Sequence, residues 1–72
     1  MIHDVKWSAV GDYFIVISGT QPSTSTLYDK EGNPLFEFGK RYRNTIRIDP
    51  FSNAAIIGGF GNLAGEIDIW SL

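Results

Sequence analysis

The sequence predicts an all-β protein built from a repeated unit of antiparallel strands, and three observations support this. Short runs rich in β-branched and aromatic residues recur at intervals of about ten residues, with turn-forming residues between them. No window has the apolar spacing of a helix, because glycine and β-branched residues interrupt every candidate. The sequence also matches itself at an offset of 41 residues. Together these features favour hairpin-connected strands in a repeating array.

Seven runs have the composition of strands, and they are predicted at 2–7, 13–18, 24–29, 35–38, 44–49, 54–59 and 66–71. The residues between them suit tight turns, since Gly, Pro, Asn and Asp adopt the backbone angles that turns require. The second run is apolar on both faces, with Ile15 and Ile17 on one and Phe14 and Val16 on the other. The sixth run repeats this pattern with smaller side chains, whereas the seventh alternates apolar and polar residues. We therefore expect central strands that are covered on both faces and outer strands nearer an exposed edge.

The internal repeat indicates what the unit is. An offset of 41 residues places Val5 on Ile46 and each turn on a turn, and an offset of 42 aligns the third run with the seventh. Four strands in about 40 to 45 residues are typical of one blade of a WD40-type β-propeller. The sequence thus predicts a first blade over 1–41 and a second over 42–72 that lacks its outer strand. We expect the chain to be a fragment of a larger propeller.

Composition narrows the class of protein. Hydrophobic residues make up 43% of the 72-residue chain and charged residues 19%, which is enough apolar material to fold. Cysteine is absent and His3 is the single histidine, so a structural zinc site, which needs four nitrogen or sulfur ligands, is not expected. No apolar run reaches the roughly 18 residues that cross a bilayer, and no export signal is visible. We expect a protein of the cytoplasm with no cofactor.

The small size predicts association. A chain this short buries only about 60% of its unfolded surface and commonly depends on disulfides, metals or partners. With the first two unavailable, the isolated fragment is expected to self-associate. It could pair through the strand at 66–71, stack blade on blade, or close into a ring of several chains.

Three patterns resemble catalytic or nucleotide-binding sites, but each fits a structural role in a strand or loop better. The segment Gly59–Ala64 satisfies the GxGxxA fingerprint of dinucleotide sites, but it precedes a predicted strand rather than the helix that such sites need. Glu66 and Asp68 share a strand face, where alternate charges commonly discourage edge pairing. His3 points away from its neighbour in an extended strand and so has no acid partner there. We therefore do not expect an enzyme.

A basic cluster is the best candidate for a functional site. Lys40, Arg41, Arg43 and Arg47 are four of the six positive residues, although the net charge of the chain is −2. With Tyr42 among them, they could hold RNA phosphates while a base stacks on the ring. The alternative is a solvated or protein-contacting loop, since charge runs commonly lie on solvated surface.

Several motifs resemble one family, the eukaryotic translation initiation factor 2A family. In the second half these are the run from Arg43 to Arg47, the pair Asp49-Pro50, the segment Gly59–Gly65 and the pair Ile69–Trp70. In the first half they are Ile2-His3-Asp4-Val5, Trp7-Ser8, Leu27-Tyr28-Asp29, Gly32-Asn33 and Phe36-Glu37-Phe38-Gly39. Ser71 departs from the usual Trp-Asp ending, and Ser52-Asn53 replaces a more typical turn glycine.

The resemblance implies a propeller fold and a role without catalysis. Such a factor associates with the small ribosomal subunit and promotes the binding of initiator methionyl-tRNA there, without hydrolysing GTP itself. The resemblance covers only a small part of that longer factor. The alternative function is a WD-repeat scaffold that binds protein and not RNA, such as the related propeller subunit of initiation factor 3.

Overall fold

The computed structural model describes residues 1–59 and 67–72, and it shows seven strands in these residues. They are β1 (Ile2–Trp7), β2 (Tyr13–Ser18), β3 (Ser23–Asp29), β4 (Pro34–Arg41), β5 (Arg43–Asp49), β6 (Ala54–Gly59) and β7 (Ile67–Ser71). Three of the predicted runs have the observed bounds, and β4 is longer than the predicted 35–38 because pairing continues beyond Gly39. The part of the chain described contains no helix with the length and apolarity to cross a membrane. Residues 60–64 of the GxGxxA segment lie outside the described residues, and so does Glu66.

The strands form two antiparallel sheets, which confirms the predicted fold class. The first sheet has the order β1-β2-β3-β4 and the second the order β5-β6-β7. The first strands of the two sheets, β1 and β5, lie beside each other. Two antiparallel sheets that adjoin at their first strands are the pattern expected of propeller blades.

The hydrophobic core lies between the two sheets. Ile15 and Ile17 of the first sheet are fully buried there, as are Ile46, Ala55 and Ile57 of the second. Side chains two apart share a face, which puts the two isoleucines of β2 on one side of the first sheet and Ala55 and Ile57 of β6 on one side of the second. Ile46 of β5 pairs with Ile57 and lies on the same face. Burial of an isoleucine side chain contributes about 1.5 to 3 kcal/mol, so this layer is the main force that joins the sheets.

Aromatic side chains extend the core toward the outer strands. Trp70 of β7 packs against Phe38 and Phe36 of β4, with ring centroids 4.7 and 5.9 Å away. The same orientation places Ile67 and Ile69 on the opposite face of β7, where both are exposed. The second sheet therefore uses its Trp70 face against the first sheet and leaves its isoleucine face open.

The turn between β5 and β6 has Ser52-Asn53 where a turn glycine is more typical, and Asn53 takes the place of that glycine. Asn53 adopts a positive φ of 51°, which asparagine tolerates better than most residues. Its Oδ1 accepts a hydrogen bond of 3.1 Å from the N–H of Ala9, in the turn between β1 and β2. Asn53 therefore shapes its own turn and also ties it to the corresponding turn of the first sheet.

Candidate nucleic-acid interface

The connection from β4 to β5, residues 40–43, carries most of the predicted contact residues and is called the basic turn below. Lys40 and Arg41 end β4 and are exposed, and Tyr42 follows with 47% of its surface exposed. Just before them Phe38 and Gly39 oppose the single residue Ser25 of β3, which is a β-bulge. Gly39 has a φ of 98°, which favours glycine, and a bulge of this kind increases the local twist of the strand. The bulge therefore sets the direction in which the basic turn leaves the sheet.

Polar side chains from the β2–β3 loop hold the backbone of the basic turn. The amide of Gln21 makes two hydrogen bonds to the main chain of Arg43: its Nε2 donates to the carbonyl at 2.7 Å and its Oε1 accepts from the N–H at 3.1 Å. The hydroxyl of Ser23 also donates to the Arg43 carbonyl, at 2.8 Å. Ser23 is buried, so water competes little for these bonds. The backbone that carries Lys40, Arg41 and Tyr42 is therefore fixed rather than loosely tethered.

Arg43 lies in the interior of the structure, unlike Lys40, Arg41 and Tyr42. Its side chain is 3% exposed, and its Nε donates to Oδ2 of Asp68 on β7 at 3.1 Å. Its Nη1 donates to the carbonyl of Tyr42 at 3.2 Å. A buried guanidinium needs such partners because an uncompensated charge in the interior is costly. Arg43 thus links β5 to β7, the two edge strands of the second sheet. Its guanidinium also stabilises the backbone of the basic turn through the carbonyl of Tyr42.

Arg47 is exposed but lies apart from the basic turn. It stands within β5, where its Nη1 donates to the carbonyl of Ile46 at 3.2 Å and to the hydroxyl of Thr45 at 3.4 Å. The 41-residue offset aligns Arg47 with Lys6, and Lys6 makes the similar contact of 3.0 Å to Asp4. Arg47 is therefore a sheet-face residue. The basic turn retains Lys40, Arg41 and Tyr42 as its exposed members.

Acidic groups gather at the opposite end of the strands. The turns there carry Asp12, Asp29, Glu31 and Asp49, with Lys30 beside them. The N–H and side-chain amide of Asn33 hold the pKa of Asp29 below its usual range, and the N–H of Phe51 and the hydroxyl of Ser52 do the same for Asp49. Both carboxylates remain charged at neutral pH. Among residues 1–59 and 67–72, the exposed cations of the basic turn and these acidic turns therefore lie at opposite ends of the strands.

The other candidate residues have structural partners. His3 Nε2 donates to the carbonyl of Gly19 at 2.6 Å, as expected of a hydrogen-bonded structural histidine. Asp68 is paired with Arg43 and so is not a free carboxylate for acid–base chemistry. Within residues 1–59 and 67–72 no group of three or more His, Cys, Asp or Glu side chains is arranged to hold a metal ion.

Gln21 and Ser23 support the basic turn, and sequence reasoning missed both positions. They contact Arg43 across 22 and 20 residues of sequence, and nothing in their local pattern distinguishes them from ordinary loop residues. The Gln-Pro-Ser loop joins β2 to β3, and the basic turn joins β4 to β5. Only the order of the strands in the sheet shows that these two connections lie at the same end and can contact each other.

Comparison with known proteins points to one family. The family model for eukaryotic translation initiation factor eIF2A matches residues 1–72. The protein named eukaryotic translation initiation factor 2A in Dictyostelium discoideum is 49% identical over 71 residues, which are 99% of this chain and 12% of that protein. Its namesake in Drosophila melanogaster is 38% identical over 71 residues, 99% of this chain and 11% of that protein. The namesake in Saccharomyces cerevisiae is 35% identical over 68 residues, 94% of this chain and 11% of that protein.

A solved structure agrees with the sequence matches. It is described as a crystal structure of the eukaryotic initiation factor, and it superposes with a TM-score of 0.85 at 36% identity. The superposition covers 97% of this chain and 18% of that one, so the chain spans a small part of the proteins it resembles. Because the family model matches the chain over all 72 residues, the chain belongs to the eukaryotic translation initiation factor eIF2A family.

Proposed function

We propose that this chain contributes an RNA-contacting surface to a cytoplasmic translation initiation factor. That factor associates with the small ribosomal subunit and promotes the binding of initiator methionyl-tRNA there. The role is one of binding, so no residue is assigned a catalytic part. Family membership supports the link to translation initiation, because the relatives carry that name.

The observation that carries the proposal is the exposed basic turn. Lys40 and Arg41 are neighbouring cations on a backbone held by Gln21 and Ser23, and the acidic turns lie at the other end of the molecule. Phosphate contacts release counterions from RNA, which favours binding even when the net charge of the protein is negative. The charge separation orients the positive end toward the polyanion.

Tyr42 adds a second kind of contact. Tyr42 is about half exposed and follows the two cations directly in the sequence. An exposed aromatic ring stacks on unpaired bases, and stacking is worth about 1 to 3 kcal/mol per base. Unpaired bases of tRNA or ribosomal RNA are therefore the partners that this arrangement suits best.

The test is binding measured across a series of salt concentrations. The wild-type chain, Lys40→Ser/Arg41→Ser and Tyr42→Ala are each titrated with small ribosomal subunits, with initiator tRNA and with a single-stranded RNA. Loss of two phosphate contacts is expected to flatten the slope of log K against log salt by about 1.4 units for a single strand. Tyr42→Ala is expected to weaken binding by about 5- to 150-fold with little change in slope, and Tyr42→Phe to preserve it.

Matched controls separate the turn from general charge. Lys30→Ser removes one exposed cation from the acidic end and is expected to leave both affinity and slope unchanged. An unaltered slope in Lys40→Ser/Arg41→Ser would show that the basic turn does not touch RNA. If wild type binds no RNA at any salt concentration but binds other initiation proteins, the protein-binding scaffold is the correct function instead.

A further inference from the structure

Two neighbouring turns present apolar side chains at the end of the strands opposite the basic turn. Residues 8–12 join β1 to β2, and residues 50–53 join β5 to β6. The tips of the two turns are Ala9-Val10 and Pro50-Phe51, and all four residues are exposed. These four residues are called the tip patch below.

Phe51 is the largest member of the tip patch. It is 98% exposed, and Val10 is 68% exposed. An aromatic side chain contributes a large apolar area when a partner covers it, and aromatic residues are enriched at the centres of protein interfaces. Phe51 is therefore placed to be the main apolar contact of a binding surface.

Hydrogen bonds fix the backbone that carries Phe51. The carboxylate of Asp49 accepts a bond of 2.9 Å from the Phe51 N–H and one of 2.8 Å from the Ser52 hydroxyl. The side chain of Asn53 then accepts from the Ala9 N–H at 3.1 Å, which ties the two turns together. A surface that is already ordered loses less conformational entropy when a partner binds.

The sequence repeat shows that a neighbouring sheet does not cover the tip patch. The 41-residue offset aligns Val10 with Phe51, so the same turn position occurs once in each sheet. Val10 has the following sheet beside its own and Phe51 has the preceding one, yet both remain exposed. Exposure is therefore a property of this turn position, and it holds with a sheet on either side.

Negative charge flanks the tip patch. Asp12 follows Val10 by two residues, and Asp49 precedes Phe51 by two. The hydrogen bonds from Phe51 and Ser52 hold the pKa of Asp49 below its usual range, so this carboxylate is charged at neutral pH. Neither turn contains lysine or arginine. The complementary partner is therefore both apolar and positively charged.

This combination favours one class of partner. Acidic groups repel RNA and anionic lipid headgroups, which leaves protein. The surface is only two turns wide, which suits a short segment better than the broad face of a folded domain. We propose that the tip patch binds a short segment of a protein partner in which lysine or arginine alternates with large aliphatic residues. The basic turn is at the opposite end of the strands, so this site neither competes with RNA there nor depends on RNA binding.

The test is an NMR titration of the chain with three short synthetic peptides. The first alternates lysine with leucine, the second lysine with serine, and the third glutamate with leucine. The lysine–leucine peptide is expected to bind saturably and to shift the amides of residues 8–12 and 51–53 more than those of residues 40–43. The second peptide lacks the apolar contact and the third has the wrong charge, so each is expected to bind at least about tenfold more weakly.

Variants of the chain identify the groups responsible. Phe51→Ser is expected to weaken binding of the lysine–leucine peptide by about tenfold or more. Asp12→Asn/Asp49→Asn keeps an acceptor oxygen at each position but removes the charge, and it is expected to weaken binding about three- to tenfold with a smaller dependence on salt. Tyr42→Ala is the matched control, because it removes an exposed aromatic ring from the basic turn; it is expected to bind the peptide like wild type. Conversely, Phe51→Ser is expected to bind RNA like wild type, so the two sites are tested separately.

Three results would overturn the proposal. Equal binding of the lysine–serine and lysine–leucine peptides would show a general attraction of positive charge rather than a built surface. Unchanged peptide affinity in Phe51→Ser would remove the apolar contact from the site. Absence of saturable binding by wild type, or largest shifts outside the two turns, would remove the site itself. Circular dichroism verifies the strands of each variant, and Phe51→Lys, which repels the peptide, replaces Phe51→Ser if that variant loses them.

Discussion

The carboxylate of Asp4 accepts a hydrogen bond of 2.8 Å from the main-chain N–H of Ile46, and so joins the first strands of the two sheets. Its other oxygen accepts from the Lys6 ammonium at 3.0 Å and from the Val5 N–H at 2.9 Å. Partial burial raises the pKa of Asp4, but the hydrogen bonds from Lys6, Ile46 and Val5 outweigh it and hold the pKa below its usual range. The charged form of Asp4 therefore stabilises the contact between sheets.

This contact predicts part of the acid sensitivity of the fold. Because the pKa of Asp4 is lower in the folded state than in the unfolded state, its stabilisation is present above the unfolded pKa and is lost as pH falls through the folded pKa. Asp4→Asn is expected to lower the free energy of unfolding by about 1 to 2 kcal/mol at pH 7 and by less at pH 2. Urea unfolding at a series of pH values measures the difference. Asp12→Asn, in an exposed turn, is the control; equal loss at pH 7 and pH 2 would show that the charge of Asp4 is not responsible.

Two variants of the basic turn separate its structural role from the proposed contact with RNA. Arg43→Ser removes one partner of a buried ion pair and is expected to cost about 3 to 5 kcal/mol, because Asp68 loses its guanidinium. Lys40→Ser/Arg41→Ser changes exposed side chains and is expected to change stability by no more than about 0.5 kcal/mol. Chemical denaturation of the two variants gives the comparison. Similar stability of both would place the Arg43 guanidinium in solvent, contrary to the structure.

The strand pattern could be predicted because it depends on local residues. The continuous apolar run around Ile15, with turn residues on either side of it, is enough to place β2, and the repeat then indicates β6. The sites of long-range contact could not be predicted in this way. Arg43 is one charge among several in the sequence, and what distinguishes it from exposed Arg41 is its set of long-range hydrogen bonds, including those that it donates to Gln21 and Asp68.

The conformation of the turns could be predicted in part. Ser52-Asn53 departs from the turn glycine expected of the family, yet Asn53 reaches the same left-handed backbone region. The ability of asparagine to adopt a positive φ is a known local preference. Its hydrogen bond to Ala9 depends on the neighbouring turn of the other sheet, so local sequence does not reveal it.

Burial of the central strand predicts a large effect at Ile15. Ile15 is fully buried between the sheets, so Ile15→Ala leaves a cavity and is expected to cost about 2 to 5 kcal/mol. Val10→Ala truncates an exposed aliphatic side chain in a turn and is expected to cost less than about 0.5 kcal/mol. Urea unfolding of both variants at the same protein concentration gives the comparison under the same conditions of association. If Ile15→Ala lowered the free energy of unfolding by less than about 0.5 kcal/mol, the face of β2 that carries Ile15 would be exposed to solvent.

Two adjacent glycines at the end of β6 have different reasons to be glycine. Gly59 pairs with Arg43, and a Cβ at this position would collide with the carbonyl oxygen of Tyr42 and lie 2.9 Å from its carbonyl carbon. A Cβ at Gly58 would meet only the Thr45 methyl group, at an ordinary 3.5 Å. The close approach at Gly59 is therefore part of what fixes the backbone of the basic turn.

Gly59→Ala is accordingly expected to destabilise the fold by about 1 to 3 kcal/mol, because backbone atoms must move to admit the methyl group. Gly58→Ala is the matched control and is expected to be neutral or stabilising by up to about 1 kcal/mol, since alanine loses less conformational entropy in a strand than glycine. Amide chemical shifts of Tyr42 and Arg43, followed together with urea unfolding, report whether the turn itself has moved. Equal stability and equal shifts in the two variants would show that the backbones at Gly59 and Tyr42 are farther apart than the structure places them.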